Sequence, residues 1–456
     1  MSGSYPPEIE ARFLASGKIA EGNAIEVELS SGAKEQGILM PRISAGNREN
    51  LVLKLPTGYN LAISPSEIRS VRKTGEGIKI GKIIPARAEK PAGALPKIGL
   101  VSTGGTIGTH VDYSTGGVYM CRTPEEVIST VPEISKIVDI AEVSSPFTIA
   151  SEDMDFSHFS LIAEEVGRML SKKEISGVIV THGTDVLHYT SAALSFALQN
   201  LEKPVCVVGA QRSPDRGSFD GSINLLCAAN FIAKQASAGV FLVMHGTTND
   251  DYCLAHWGTK ARKMHTSRRD AFQSVNKAPF AKIFPDGRIE ILGEPRKAGA
   301  CAELKLRPDF EDRTAIVKIA PNLSPEVIDH YASKGFRGIV IEGTGLGHVI
   351  TNGPKSWLPS IKNAVDAGIV VAMTSQAIYG AVHPYTYRNL RLLGETGAVF
   401  AKDTLPETAY VKLAWLLGQK KSPEEVRALM QENLAGEINE RISEKDFLEP
   451  QWGNVK

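Results

Sequence analysis

The sequence has no apolar run of the roughly 18 to 20 residues needed to cross a bilayer. Its start, MSGSYPPEIE, has neither the basic nor the apolar region of a signal peptide. The five cysteines are scattered and include no CxxC pair. Because three of them lie in apolar stretches, we expect buried, reduced thiols. These absences predict a cytoplasmic protein that does not enter a membrane.

An excess of charge of either sign is also missing. Lys and Arg together number 51, and so do Asp and Glu, in a chain of 456 residues. A protein that binds nucleic acid alone usually carries a basic surplus, so any such contact must be local or made by a partner. With 42% hydrophobic and 22% charged residues, the composition is that of a globular chain of two or three domains.

Several motifs that would define a reaction are absent. The sequence contains no GxxxxGK[ST], and neither GGTIG nor GTGLG at 343–347 fits GxGxxG, which argues against nucleotide binding. It has no HExxH, no metal-ligand spacing among its ten histidines and no GxSxG. We therefore expect neither a metal nor a cofactor in this chain.

Short β-type runs separated by turn signals occupy the first part of the chain. AIEVELSSGAKEQGILMPR and ENLVLKLPTGYNLAIS contain Ser-Gly and Thr-Gly pairs between apolar runs, which favour hairpins. Their close spacing predicts a small β-barrel domain over residues 1–85. The Ala- and Pro-rich stretch that follows predicts a linker over 86–96.

From Lys97 the pattern changes to short apolar runs that alternate with helical segments. KIGLVS, SGVIVTH, KPVCVVGA, AGVFLVMHG, FRGIVIEG and AGIVVAMTS have Gly, Ser, Thr or His near their carboxyl ends. Such alternation predicts a parallel sheet covered on both faces, with ligands beyond the carboxyl ends of its strands. We assign a larger α/β lobe to 97–295, an inter-lobe linker to 296–312, a smaller α/β lobe to 313–430, and a C-terminal helix and tail to 431–456.

Threonines at two of these strand ends are candidates for chemistry. Thr103 and Thr106 follow one strand, in VSTGGTIGTH, and Thr184 follows another, in VTHGTD. Nearby glycines would let backbone N–H groups approach a substrate carbonyl or carboxylate. A threonine hydroxyl attacks only when a base takes its proton. The segment ARKMHTSRR at 261–269 offers a base, since desolvation can leave a lysine neutral part of the time.

Plainer interpretations exist for the same residues. A Gly-Thr turn after a buried strand is usually only a turn, and the basic run at 260–269 is more often a solvated face or a phosphate-contacting loop. His182 and His188 are expected to be hydrogen-bonded loop and helix histidines rather than metal ligands. Spacing alone does not decide between these interpretations and a catalytic site.

Two motifs together resemble the signatures of the asparaginase/glutaminase family, namely LVSTGGTIG and GVIVTHGTDVLHYT. SEDMD at 151–155 resembles the family's substrate-carboxylate loop, and LPETAYVKLAWLLG its closing helix. The resemblance covers most of residues 97–420. It implies an α/β, two-lobed asparaginase-like parallel-sheet fold, here preceded by the small β-barrel domain. It also implies amide hydrolysis in two steps, in which an acyl-enzyme forms with loss of ammonia and water then releases the acid.

The resemblance also implies roles for individual residues. Thr106 matches the threonine usually assigned as nucleophile, and which threonine attacks first stays open. Lys263 matches the lysine that completes a Thr-Lys-Asp group. The implied catalytic residues are Thr106, Thr184, Asp185 and Lys263. The implied substrate-binding residues are Ser151, Glu152 and Gly183, of which Ser151 would contact the α-carboxylate of the substrate.

Two positions depart from the family pattern. Val186 stands where the family usually has Thr, and Glu152 stands where bacterial asparaginases have Gln. A tyrosine on the loop after the first motif often assists the nucleophile in the family. Tyr113 and Tyr119 both qualify for that role, with Tyr113 the first choice.

A β-barrel ahead of an asparaginase-like body resembles the D-subunit family of archaeal glutamyl-tRNA(Gln) amidotransferases, as do VDYSTGGV and SEDMDFSHF. This resemblance implies a subunit that frees ammonia from glutamine or asparagine. A partner E subunit would hold Glu-tRNA(Gln) and use ATP and Mg²⁺ to activate it, and a homodimer of this chain would bind two such partners. The alternatives are a free-standing cytoplasmic L-asparaginase and a catalytically silent binding module.

Overall fold

A computed structural model describes most of the chain. The described residues are 5–41, 49–55, 60–76, 94–105, 107, 109–112, 117–120, 131–212, 219–295 and 303–447. Much of the predicted linkers, at 86–96 and 296–312, lies outside these residues. Among the described residues no helix is both long and apolar enough to span a membrane.

The amino-terminal domain contains one antiparallel sheet of five strands in the order β4-β3-β2-β1-β5, preceded by short helical segments at Pro7–Ile9 and Glu10–Leu14. Alternation along β1 buries Ile25 and Val27 against a separate small core, while Glu26 pairs with cations at the surface. The predicted hairpins are confirmed. Pairing of β4 with β5 is not seen in the described part of the chain, so closure into a barrel stays a prediction. The strands are β1 Ala24–Leu29, β2 Lys34–Leu39, β3 Leu51–Lys54, β4 Asn60–Ile63 and β5 Ile68–Gly75.

The larger lobe is built on an eight-stranded sheet in the order β18-β17-β14-β13-β12-β10-β6-β9. Its strands are β6 Lys97–Ser102, β9 Asp139–Ser144, β10 Ile175–Thr181, β12 Pro204–Val208, β13 Gly239–His245, β14 Cys253–Trp257, β17 Ala281–Ile283 and β18 Ile289–Ile291. Strands β9, β6, β10, β12 and β13 run parallel, as the apolar runs predict.

Each of the other three strands of this sheet pairs antiparallel with its neighbours. The link from β13 to β14 covers only residues 246–252, which is too short for the crossover that a parallel strand needs. The expectation of a purely parallel sheet is therefore incomplete for this lobe. Small pairs of strands lie outside the sheet: β7 Thr109–Asp112 with β8 Gly117–Met120, β11 Leu198–Gln199 with β19 Lys305–Leu306, and β15 Ala261–Lys263 with β16 Phe272–Ser274.

Helices cover both faces of the large sheet, as predicted. The helices of this lobe are α1 Phe156–Leu170, α2 Leu187–Ala197 and α3 Gly221–Ala233. The core on one face contains Phe231 of α3, and the core on the other contains Val166 of α1 and Leu194 of α2. Cys206, Cys227 and Cys253 are buried and free in these layers, which confirms the expected reduced thiols for the three.

The smaller lobe has a four-stranded parallel sheet in the order β20-β21-β22-β23. Its strands are β20 Thr314–Lys318, β21 Gly338–Gly343, β22 Val370–Ser375 and β23 Val399–Phe400. Its helices are α4 Glu326–Ser333, α5 Leu358–Asp366, α6 Arg388–Glu395, α7 Pro406–Gly418 and α8 Pro423–Leu429. Trp415 of α7 stacks on Phe196 of α2 with ring centroids 5.6 Å apart, so α7 joins the two lobes.

The helix predicted within 431–456 is wrong for the described part of that range. Ser422 caps α8 through a capping box with Glu425, and α8 ends at Leu429. Beyond it the described residues contain only the single 3₁₀ turn Glu444–Asp446. The Glu437 carboxylate accepts the backbone N–H groups of Leu434 and Ala435, and these bonds stabilise an irregular path in place of a helix.

Candidate active site

The two threonine-glycine loops leave the large sheet side by side. Ser102 at the end of β6 is the register partner of Thr181 at the end of β10. The Thr103 backbone N–H then donates to the Thr181 carbonyl at 3.1 Å, which carries the pairing past the last strand residue. The two strand ends whose threonines are candidates for chemistry therefore lie side by side. Thr106 lies outside them.

Glycines allow these loops to touch. Gly104 and Gly105 have φ of +120° and +75°, in the region that residues with a Cβ rarely adopt. A Cβ on Gly105 would lie 2.5 Å from the backbone nitrogen of Gly183, so the two motifs meet through bare backbone. Backbone that carries no Cβ is what close approach to a substrate carboxylate or carbonyl needs.

Lys263 reaches this point from a hairpin elsewhere in the sequence. Lys263 is the last residue of β15 and pairs with the fully buried Phe272 of β16. This pairing fixes the direction of the Lys263 side chain. Its Nζ donates to Oγ1 of Thr184 at 2.9 Å and to Oδ1 of Asp185 at 2.7 Å. The Lys263 side chain is 11% exposed and that of Asp185 is 60% exposed. Three of the four predicted catalytic residues thus form one hydrogen-bonded group with access to solvent.

Ser151 belongs to the same site. It is 2% exposed and opens the 3₁₀ turn Ser151–Asp153. Its Oγ accepts the backbone N–H of Asp185 at 3.2 Å, and a Cβ on Gly183 would lie 2.7 Å from that oxygen. The predicted carboxylate loop therefore packs directly on the second threonine motif. Glu152 is exposed beside them. Tyr113 lies outside the described residues, and Tyr119 is described by its backbone alone.

The basic run at 260–269 is only partly a solvated face, because residues 265–268 are exposed whereas Lys260 is fully buried and Arg262 and Lys263 are partly buried. Contact with phosphate stays an interpretation. Each of its five cations is paired with a carboxylate, and most of these partners are distant in sequence, where spacing gives no signal. The ion pairs are Lys260–Asp403 at 2.6 Å, Arg262–Glu407 at 2.9 Å, Lys263–Asp185 at 2.7 Å, Arg268–Asp270 at 2.7 Å and Arg269–Asp250 at 2.7 Å.

His182 and His188 are buried beside this group. His182 is hydrogen-bonded through both ring nitrogens, to Gly183 O and Thr190 Oγ1, and burial lowers its pKa to about 4. The expectation is confirmed for this residue. His188 is also buried, and burial and the charges of Arg262 and Lys263 lower its pKa to about 3. Its Nδ1 has no hydrogen-bond partner among the described residues, which differs from the expectation.

No group of three or more His, Cys, Asp and Glu side chains placed to hold a metal ion occurs within the described ranges. The absence of a metal from this chain stays a prediction.

Three family models match the chain. They are "Asparaginase, N-terminal" over residues 97–297, "Glutaminase/Asparaginase C-terminal domain" over 313–430 and "GatD N-terminal domain" over 19–73. Together they cover the three regions that the fold separates.

Curated relatives match nearly the whole chain. The D subunit of the glutamyl-tRNA(Gln) amidotransferase of Pyrococcus horikoshii is 46% identical over 435 residues, which is 93% of this chain and 96% of that protein. The protein of the same name from Thermofilum pendens is 40% identical, over 99% of this chain and 100% of that protein.

Solved asparaginase structures match about three quarters of the chain. The thermostable L-asparaginase from Thermococcus kodakarensis superposes with a TM-score of 0.66 at 27% identity, over 75% of this chain and 99% of that one. L-asparaginase I from Vibrio cholerae superposes with a TM-score of 0.65 at 28% identity, over 76% of this chain and 100% of that one.

Proposed function

The chain belongs to the asparaginase/glutaminase family, in the group of glutamyl-tRNA(Gln) amidotransferase D subunits, and we propose that it releases ammonia from glutamine or asparagine for the conversion of Glu-tRNA(Gln) to Gln-tRNA(Gln). One observation favours this proposal over a free-standing L-asparaginase. Solved L-asparaginases are matched over their whole length, yet they account for only three quarters of this chain. The GatD N-terminal domain is additional, and D subunits match the chain with it included.

The geometry around Lys263 supports amide hydrolysis by a threonine hydroxyl. In its neutral form the amine of Lys263 accepts the proton of a hydroxyl at 2.9 Å, as the oxygen forms a bond to the amide carbon of the substrate. The amine then returns the proton to the leaving nitrogen, the carbon–nitrogen bond breaks and ammonia departs. Water attacks the resulting ester and releases the acid. Asp185 holds the lysine between its carboxylate and the hydroxyl throughout.

Two threonines are candidates for the attacking hydroxyl. The hydrogen bond from Lys263 to Thr184 supports Thr184, because a base in contact with a hydroxyl can take its proton. Thr106 remains the candidate nucleophile by its match to the family motif, and Tyr113 the candidate assistant.

The amide donor is proposed to bind beside the Lys263 group. Ser151 and the backbone of Gly183 would bind its α-carboxylate, and their mutual contact supports a shared role. Glu152 is exposed beside these residues. It is proposed to contact the α-amino group of the donor, because the negative charge of the carboxylate is complementary to the positive charge of that group.

The assembly proposed for this chain is a cytoplasmic complex with an amidotransferase E subunit. The partner would bind Glu-tRNA(Gln) and supply activation by ATP and Mg²⁺, while this chain carries no metal or cofactor of its own. The balance of 51 cationic and 51 anionic residues supports tRNA binding mainly by the partner. A homodimer of this chain would form the core, with one partner on each copy.

The test is ammonia release by the full chain from glutamine and from asparagine, with and without the partner subunit and Glu-tRNA(Gln), followed by assay of Gln-tRNA(Gln). We expect release that depends on the partner and tRNA, and amidated tRNA as product. Strong ammonia release from asparagine that depends on neither the partner subunit nor Glu-tRNA(Gln) would instead identify a free-standing asparaginase.

A catalytically silent module is tested by alanine variants. Thr106→Ala, Thr184→Ala and Lys263→Ala are each expected to abolish ammonia release while the chain stays folded. Unaltered release by all three variants would place the chemistry elsewhere, and no release by the unmodified complex under any condition would favour the silent module.

A further inference from the structure

The strand that carries Lys263 is poorly supported by its own sheet. Strand β15 has only the three residues Ala261–Lys263, and its partner in this two-stranded sheet is the equally short β16. A catalytic lysine must nevertheless be held to within a fraction of an ångström, because small displacements of reacting groups cost large factors in rate. Contacts other than the β15–β16 ladder must therefore position this strand.

Arg262 makes such a contact. Its Nη2 lies 2.9 Å from Oε1 of Glu407, and the two side chains are 23% and 9% exposed. Successive residues of a strand direct their side chains to opposite faces. One face of β15 is thus attached to Glu407, and the other directs Lys263 toward Thr184.

Glu407 is well placed to fix both sides of the catalytic group. It lies in the first turn of α7, which packs on α2 through the Tyr189–Tyr410 and Phe196–Trp415 ring pairs. Helix α2 begins just after Thr184 and Asp185. Helix α7 of the smaller lobe therefore contacts strand β15, which carries Lys263, and helix α2, which follows Thr184 and Asp185.

On the basis of the proposed function, we infer that Arg262 is a positioning residue, anchored by Glu407 across the lobe boundary, which holds Lys263 against Thr184 and Asp185. Arg262 touches no proposed reacting atom. Its effect is expected on the rate of the chemical step, since the substrate-binding contacts of Ser151 and Gly183 do not involve it.

The electrostatic surroundings make the bridge sensitive to acid. Burial raises the pKa of Glu407, and the charge of Arg262 opposes that shift. The other charged groups that act on Glu407 are Glu342 of β21, which also raises its pKa, and Lys318 of β20, which lowers it. Burial raises the pKa of the Tyr189 phenol on α2, and the charge of nearby Glu407 adds to that shift. Because the pKa of Glu407 is raised, its protonation on acidification would leave Arg262 without its anchor.

The inference is tested with Arg262→Gln, Glu407→Gln and the double variant in the full chain with its partner subunit. We expect each single change to lower kcat for glutamine about tenfold and to leave KM within about twofold. The double variant should be no slower than the slower single variant, because both changes break one contact. Arg262→Lys, which retains a cation, should recover part of kcat.

Arg268→Gln is the matched control, since Arg268 has a comparable ion pair on the same segment but one with its near neighbour Asp270. Its kcat should equal that of the unmodified chain. The pH profile gives a second readout: the fall in kcat on acidification should be smaller in Glu407→Gln, where the bridge is already broken.

Single variants with kcat within about twofold of the unmodified chain would overturn the inference. So would a double variant whose loss of kcat equals the product of the losses in the two single variants. A rise in KM at constant kcat would also overturn it, by assigning Arg262 to substrate binding. Lys263→Ala in the same assay separates the positioning role from the proposed function. If Lys263→Ala is inactive while the Arg262 variants are normal, only the positioning role fails. If Lys263→Ala is fully active, the proposed function itself fails.

Discussion

Ser151 and Asp185 are joined by a hydrogen bond of 3.2 Å, in which the backbone N–H of Asp185 donates to the Ser151 side-chain oxygen. The loop proposed to bind the substrate carboxylate is therefore attached to the motif proposed to carry the chemistry. Because Ser151 is almost fully buried, neither side can shift without moving the other. Changes at this contact are expected to alter binding of the amide donor before they alter stability.

Gly183→Ala is predicted to raise KM for glutamine. The new Cβ would lie 2.7 Å from Oγ and 2.8 Å from Cβ of Ser151, so Ser151 must move away from its proposed ligand. We expect KM to rise about tenfold or more, since one charge-assisted hydrogen bond is worth about 1.5 kcal/mol or more. Steady-state kinetics with glutamine measure this. Gly394→Ala is the control, because a Cβ there meets nothing within 4 Å among the described residues. An unchanged KM in Gly183→Ala would argue against carboxylate binding at Ser151.

Lys263→Met is predicted to reduce kcat by about two to four orders of magnitude, the usual contribution of a general base. Methionine retains most of the side-chain length but can neither accept a proton nor bind Asp185. The measurement is ammonia release in the assembled complex, with circular dichroism to establish folding. Lys362→Met serves as control, because Lys362 is half exposed on α5 and pairs with Asp366 one helical turn away. A folded Lys263→Met chain with normal turnover would exclude the proposed base.

Lys412→Met is predicted to lower the free energy of unfolding by about 3 to 5 kcal/mol. Lys412 and Glu437 lie 2.6 Å apart and both side chains are fully buried, so removal of the cation leaves a buried carboxylate without its counter-ion. Urea unfolding measures the loss. The exposed Lys362–Asp366 pair provides the comparison, and Lys362→Met should cost about 0.5 kcal/mol or less. Adding Glu437→Gln to Lys412→Met should recover part of the stability, and the prediction is wrong if it deepens the loss.

Stability is predicted to fall with acidification below about pH 6.5. Burial lowers the pKa of His182 and His256 to about 4 and that of His188 to about 3, from an ordinary value of 6.5. Between about pH 6.5 and 4 the unfolded chain therefore binds protons that the folded chain does not. By linkage, each of these histidines stabilises the fold fully above pH 6.5, and its contribution decreases by about 1.4 kcal/mol per pH unit through that window.

His256→Gln tests this linkage, because the His256 ring bonds to Ser274 of β16 and takes no part in the hydrogen bonds of Lys263. Urea unfolding of both chains at pH 8 and pH 5.5 gives the comparison. The loss between the two pH values should be smaller in the variant by about 1 kcal/mol. Equal losses would show that His256 does not contribute to the pH dependence.

The local patterns in the chain predict most of its elements. Alternating residues identify the strands of the first domain, and the runs that become β6, β10, β12, β13, β21 and β22 are continuous apolar segments because both faces of those strands are buried. The capping box is likewise recognisable in the sequence, since Ser422 is followed three residues later by Glu425. Strands β14, β17 and β18 and their antiparallel pairing cannot be recognised from local patterns, because strand direction follows from loop geometry and sheet packing.

The sequence by itself determined which residues are available for chemistry: threonine and glycine at two strand ends, and a lysine among other cations. Only the tertiary structure decided what each of those cations contacts, because the chemically identical Lys260 and Lys263 differ in their partners: Lys260 pairs with Asp403, whereas Lys263 donates to Thr184 and Asp185. The partner of Lys260, for example, lies 143 residues away along the chain. Ion pairing depends on distance in space, and for partners this far apart along the chain residue spacing carries no information about it.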